Sequence, residues 1–178
     1  MTATPIILTG SFLNPEGLPA AGSVVASLTE AIANGGQSIG QLVRFAYLDE
    51  NGNLALAVVS NLDAGTSPAG SQWYCTVDLV GSPRTAGYVS VPAAPVGSRS
   101  VTDAVTMQNS VVLTSATASF VSGDVGKYVA CEGIIPLTTI AAINSSTSVN
   151  LSLPATASGT GLTLLIGAQA DLFTLLGV

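Results

Sequence analysis

Turn-forming residues recur at short intervals along this chain and leave apolar runs of strand length between them. The first interval is Leu8-Thr9-Gly10-Ser11-Phe12-Leu13, then Asn14-Pro15-Glu16-Gly17, then Leu18-Pro19-Ala20-Ala21-Gly22-Ser23-Val24-Val25-Ala26. Pro15 presets φ at the first central turn position, and Gly17 takes the positive φ that a turn often needs. The pattern returns as Phe45-Ala46-Tyr47-Leu48-Asp49-Glu50-Asn51-Gly52-Asn53-Leu54-Ala55-Leu56. Asn51-Gly52 is the dipeptide favoured in type I′ hairpins, so both stretches read as strand, tight turn, strand. The front half is therefore expected to be an antiparallel β-sandwich.

Taken in order, Ser27–Ala33 reads either as a short helix or as a continuing strand, and Asn34-Gly35-Gly36 ends it as a loop. Leu42–Leu48, Leu54–Val59, Trp73–Val80 and Gly87–Pro92 are strand candidates, with Trp73 the expected core anchor. Pro92-Ala93-Ala94-Pro95-Val96-Gly97-Ser98 reads as a linker, because two prolines among small residues favour an extended chain outside any central strand. The expected division is 1–92 as the sandwich, 93–100 as linker and 101–178 as a second small β domain. In that second part the strand candidates are 110–114, 118–120, 128–131, 138–143, 148–153 and 162–166. Gln169–Leu176 reads as a short amphipathic helix. Its Leu172, Phe173, Leu175 and Leu176 are candidate inter-subunit contacts, and packing of this tail on its own domain is the alternative.

Hydrophobic residues make up 48% of the 178 residues and charged residues 8%, far below the roughly 25% usual for a globular domain. A surface of small neutral groups solvates poorly alone, so much of it is expected to face protein. The formal charge is −6, and the four cations, Arg44, Arg84, Arg99 and Lys127, are scattered, which argues against a nucleic-acid partner. No run of about 18 apolar residues appears, so no membrane span is expected. Met1-Thr2-Ala3-Thr4-Pro5 has no basic region followed by an apolar run, so the expectation is synthesis in a cytoplasm without export. Cys75 reads as a buried strand residue, and a bridge to Cys131, the only other cysteine, is the less favoured reading.

The chain has no His, which removes the commonest general base and most transition-metal sites. Two cysteines without CxxC spacing make no zinc site, and Asn34-Gly35-Gly36 lacks the Lys and helix of a phosphate-binding loop. Asp49-Glu50-Asn51-Gly52-Asn53 holds oxygen ligands, but two acids beside a turn dipeptide fit a hairpin better than calcium. Glu16 with Asp124 or Glu132 forms a nominal carboxylate pair with no aromatic groove to hold a sugar. Trp73, Tyr74 and Tyr88 are candidates for glycan stacking, with core packing the favoured reading. No catalytic, cofactor-binding or metal residue is expected, and no cofactor.

Gly10, Asn14–Pro19, Gly22–Val25 and Leu48–Leu54 together resemble the transthyretin-like or carboxypeptidase-regulatory-like class of β-sandwich. More closely, they resemble a module of structural proteins of tailed bacteriophages, especially those of actinobacteria. Phe120, Asp124-Val125-Gly126-Lys127, Gly133-Ile134 and Thr138-Thr139-Ile140 resemble a β module of phage fibre and surface proteins. The two resemblances imply a structural protein of a virion, and with the strand pattern and the lack of a convergent catalytic site the expectation is an all-β, non-enzymatic protein. Capsid decoration or a head fibre is the first expectation, with the major capsid protein and further copies of itself as partners, in a closed homo-oligomer such as a trimer. The apolar tail or the arm before Leu8 would make the contacts. A minor tail or receptor-binding component is the alternative, and a secreted carbohydrate-binding module a third.

Overall fold

A computed structural model describes residues 4–34, 37–64 and 66–177, and its regular structure is almost entirely β. Met1–Ala3 of the expected N-terminal arm, Gly35-Gly36 of the expected loop, Gly65 and Val178 fall outside the described residues. The chain divides into two compact units. The first holds the described residues through Ala93 together with those from Ala170 onward, and the second holds Ala94–Gln169. The expected division gives the whole segment 101–178 to the second domain; in the structure the chain returns to the first unit at Ala170.

The first unit contains β1 (Pro5–Ser11), β2 (Gly22–Leu28), β3 (Ile32–Asn34), β4 (Gln37–Ile39), β5 (Val43–Tyr47), β6 (Asn53–Val59), β7 (Trp73–Leu79) and β8 (Thr85–Val89). Their pairing gives a four-stranded sheet β5-β2-β7-β8 and a second sheet in which β1 lies beside β6, with β3 and β4 as a separate two-stranded ribbon. Alternation decides which residues enter the core. Val24, Ala26 and Leu28 of β2 and Trp73, Cys75 and Val77 of β7 are buried, as are Leu54, Leu56 and Val58 of β6 and Ile6 and Leu8 of β1. Trp73 is the anchor the sequence implies. Its ring is fully buried and its indole N–H donates to the Val59 carbonyl at 2.9 Å, so its one polar atom is satisfied. Ser27–Ala33 is neither a helix nor one continuing strand: β2 ends at Leu28, residues 29–31 bend, and β3 starts at Ile32.

Neither of the two signature turns closes a hairpin within a sheet. β1 pairs with β6, and β2 pairs with β5 and β7, so Asn14–Gly17 and Asp49–Gly52 each carry the chain from one sheet to the other. The turns share one hydrogen-bond pattern. In each, the Asx side-chain oxygen accepts from the N–H groups two and four residues on, and the glycine N–H donates to the Asx carbonyl. A type I′ turn requires two residues with positive φ, whereas here only Gly52 has one, at 74°. The Asp49 carboxylate explains the difference, since accepting from Asn51 and Asn53 fixes a turn centred on Glu50-Asn51. The two turns then stack, with the Phe12 N–H donating to the Gly52 carbonyl at 2.9 Å.

The second unit contains β9 (Arg99–Thr106), β10 (Val112–Thr114), β11 (Val129–Cys131), β12 (Ile140–Ser145), β13 (Ser148–Leu151) and β14 (Gly159–Ile166) in one sheet, ordered β11-β14-β9-β10-β13-β12. Leu113, Phe120, Ile140, Val149, Leu151, Leu164 and Ile166 form its core. β9 is a strand the sequence reading lacks, and its first two residues fall inside the expected linker. Residues 118–120 are no strand: Ser119 takes φ of 49°, and Ala118 and Phe120 are buried on either side of it.

The returning segment adds β15 (Gln169–Asp171) beside β1, then one short helix, α1 (Leu172–Leu176). Asp171 caps that helix by accepting from the Thr174 N–H at 2.8 Å, and Gly177 ends it in the left-handed region at φ 75°.

Candidate functional site

Several of the charged side chains are held by partners within the chain. Asp124 is fully buried and accepts from both terminal nitrogens of Arg99 (2.8 and 2.6 Å), from Lys127 Nζ (3.0 Å) and from the Val121 N–H (3.0 Å). The Arg99 hydrogen bonds hold its carboxyl well below the usual carboxylate range. This gives the Phe-x-x-x-Asp-Val-Gly-Lys motif a structural meaning. Phe120 fills the core, Asp124 collects two cations, and Gly126 takes φ of 84° as its N–H donates to the Ile140 carbonyl. The nominal partners of Asp124 in a carboxylate pair, Glu16 and Glu132, make none of these contacts. Asp103 of β9 accepts from the Ser115 hydroxyl and from the N–H and hydroxyl of Thr117, and its carboxyl is lowered chiefly by Ser115. The Asp49 carboxyl is lowered by the backbone N–H groups of its own turn, and both its oxygens are bound to amides of Asn51 and Asn53.

Cys75 and Cys131 are free and buried, one in each unit, and burial pushes both thiols up to about 11. A depression of about 300 Å³ in the second unit is lined by Val96, Gly97, Lys127, Gly167 and Gln169, and its one charged group is already paired with Asp124. Among the described residues there is no cluster of three potential metal ligands, and no helix is long and apolar enough to cross a membrane.

The tail residues singled out by the sequence are used within the first unit. Leu172 is fully buried, and the Phe173 ring lies 4.8 Å from that of Phe12. Leu176 fills the space over Gly87, where a Cβ would come within 2.7 Å of it. Leu175 is half-buried. Of the described residues before Leu8, Pro5, Ile6 and Ile7 belong to β1, with Ile6 and Ile7 buried.

One surface stands apart, the outer face of the sheet β5-β2-β7-β8. Registered neighbours present their side chains on the same side, which sets Val43, Ser27, Tyr74 and Tyr88 in one row. Phe45, Val25, Thr76 and Ala86 form the next row, and Tyr47, Ser23 and Asp78 the third. Of the chain's four Phe, four Tyr and one Trp, the four with large exposure all lie here: Phe45 at 49%, Tyr47 at 75%, Tyr74 at 40% and Tyr88 at 60%. Phe45 and Tyr47 meet edge to face with centroids 4.6 Å apart, and Tyr74 and Tyr88 pack at 5.0 Å. Between the two pairs runs a trough of Ser23, Val25, Ser27 and Thr76. The charges on this face, Asp78 and the neighbouring Arg84, are bound to each other.

The parity of β5 creates this face. Opposite Val24 and Ala26, whose side chains enter the core, stand Ala46 and Arg44, so Val43, Phe45 and Tyr47 are turned outward. The more apolar side of the strand thus faces solvent. Of the aromatics read from the sequence, Trp73 belongs to the core, while Tyr74 and Tyr88 come together on the outside. Val43, Phe45 and Tyr47 were not singled out from sequence, and the apolar-polar-apolar pattern Val43-Arg44-Phe45 is the signal that marks them.

The fold and this surface describe an all-β protein with a sandwich-like unit that carries an exposed aromatic sheet face. Comparison with protein-family models, with curated proteins and with solved structures finds no match to the chain.

Proposed function

We propose that the chain is a non-catalytic building block of a tailed-phage virion, most simply a capsid decoration or head-fibre protein that acts through protein contacts. The observation that carries the reading is the outer face of β5-β2-β7-β8, where all four strongly exposed aromatic residues are gathered on a face whose Asp78 is paired with Arg84. Exposed rings in one patch favour docking on protein, since they offer large apolar area at little side-chain entropy cost. The low charge content supports the same reading, because a surface of small neutral groups suits close packing in a repetitive shell. The resemblance of both units to phage structural modules supplies the virion; the apolar tail, used inside the first unit, gives way to the aromatic face as the contact.

Quantitative mass spectrometry of purified virions, with heads and tails separated, tests this. The expected result is the chain in the head fraction at a copy number comparable to the major capsid protein. A few copies in the tail fraction would instead make it a tail component that reads a host surface. Absence from both fractions would overturn the virion reading.

A further inference from the structure

We infer that the outer face of β5-β2-β7-β8 is a self-association surface, covered by the same face of a second copy about a two-fold axis. The inference rests on the reading of this chain as an assembly protein and names the partner at that surface.

The area is of the right size. At about 200 Å² for a whole aromatic side chain, the exposed fractions of Phe45, Tyr47, Tyr74 and Tyr88 amount to about 450 Å². The rings alone thus match the size of the largest apolar patch of a typical monomer, about 300–600 Å² and often functional. Two such faces cover about 900 Å² through the rings, and Val43, exposed at 60%, with the small trough residues carries the total past the about 1,000 Å² that a specific interface needs.

The relief is self-complementary. Phe45 and Tyr47 form a ridge on edge strand β5, and Tyr74 and Tyr88 form a second ridge on β7 and β8. The trough over β2 lies between them, with strands spaced about 4.8 Å apart. Sheets pack face to face at about 10 Å, close enough for a ridge from one copy to enter the trough of the other. A single patch that fits itself generates a closed pair, not a ring or an open filament. The electrostatics agree. The chain carries −6 overall, but Asp78 and Arg84 neutralise each other, so two copies approach through a face with no net charge. A glycan fits less well. It needs polar side chains beside the stacking rings, and the trough offers hydroxyls of Ser23, Ser27 and Thr76 with no free carboxylate or amide.

Sedimentation equilibrium of the full-length purified protein tests the inference. The wild type is expected to be a dimer at about 100 μM. The double substitution Phe45→Thr and Tyr47→Thr keeps strand propensity, and it is expected to weaken dimerisation at least about 100-fold, as loss of two aromatic anchors does. Tyr88→Thr on the opposite ridge is expected to weaken it as well and provides an independent test should the double variant not fold. Unchanged Trp73 fluorescence reports that the first unit stays folded. Leu18→Ser, which removes an exposed apolar residue on the Asn14–Gly17 turn, is expected to leave the dimer intact. A wild type that is monomeric, or dimeric with an affinity insensitive to all three ridge substitutions, would overturn the pairing. So would a trimer, or equal disruption by Leu18→Ser. A monomer assigns the face to another occupant, shell protein or glycan, and leaves the virion copy number standing. Absence from virions with an intact dimer overturns the virion reading alone.

Discussion

Removing Arg99 should be far more damaging than its partial exposure suggests, because of what it leaves behind. Asp124 has no exposed side-chain surface, whereas Arg99 and Lys127 each keep 35% of theirs. In Arg99→Met the carboxylate stays buried with the Lys127 amine and the Val121 N–H as its remaining partners. Breaking a buried pair by removing one partner costs about 3–5 kcal/mol. Because water screens the exposed side of this cluster and Lys127 remains, about 2–3 kcal/mol is expected here. Asp124→Asn leaves two cations that can reach water and should cost less, about 1–2 kcal/mol, chiefly from weakened hydrogen bonds. In the double variant no unpaired buried charge survives, so the effects should fail to add, by about 1–2 kcal/mol.

The same cluster predicts a pH dependence. The folded Asp124 carboxyl titrates below its unfolded counterpart at about 3.9, so the stabilisation is complete above about pH 4 and is lost as pH falls further. Asp124→Asn should therefore flatten the acid side of the stability curve. Urea unfolding followed by hydrogen exchange of the β11 and β14 amides reads the second unit, while fluorescence of Trp73, the sole tryptophan, reads the first. An Arg99→Met cost below about 1 kcal/mol, with coupling under about 0.5 kcal/mol, would refute the argument.

Leu172→Ala should lower the stability of the first unit by about 2–4 kcal/mol, since the side chain is fully buried, and Trp73 fluorescence during unfolding checks it. Gly52→Ala should cost more than about 2 kcal/mol in the same assay. Its Cβ would come within 2.4 Å of the Phe12 carbonyl oxygen, at a φ of 74° that itself costs about 1–2 kcal/mol. Cys75 and Cys131 should resist thiol labelling at pH 8 until urea is added, because both are buried and raised to about 11; fast labelling of the native protein would contradict their burial.

The all-β class was legible because period-2 alternation and turn residues report directly on strands. Trp73-Tyr74-Cys75-Thr76-Val77 states its own inside and outside, and β7 obeys it. Pairing was less legible. Asn14–Gly17 and Asp49–Gly52 carry the residues of hairpin turns, yet the same four-residue geometry serves to pass from one sheet to the other, and local sequence does not encode which strand lies next door. β9 was missed for a different reason. A central strand is expected to be apolar, while Arg99-Ser100-Val101-Thr102-Asp103 carries two charges. Both are tolerated because they are partnered within the second unit, Arg99 by Asp124 and Asp103 by Ser115 and Thr117, and those partners lie 12 to 25 residues away in sequence.

The aromatic face was illegible for a reason that bears on its use. Alternation tells which residues share a side but not which side is inward, and a reader assigns the apolar side of a strand to the core. In β7 that rule holds. In β5 it inverts, because Val24 and Ala26 of β2 are the residues that enter the core, and their register puts Arg44 and Ala46 on that side, where Ala46 is half-buried and Arg44 stays exposed at the sheet edge. Inverting Val43, Phe45 and Tyr47 into solvent costs the chain apolar burial it would otherwise have, at about 25 cal/mol for each Å² left exposed. A fold that accepts this on an edge strand, and places Tyr74 and Tyr88 to complete the same surface, recovers that burial only when the face is covered. The surface is therefore better understood as half of an interface than as an imperfect exterior.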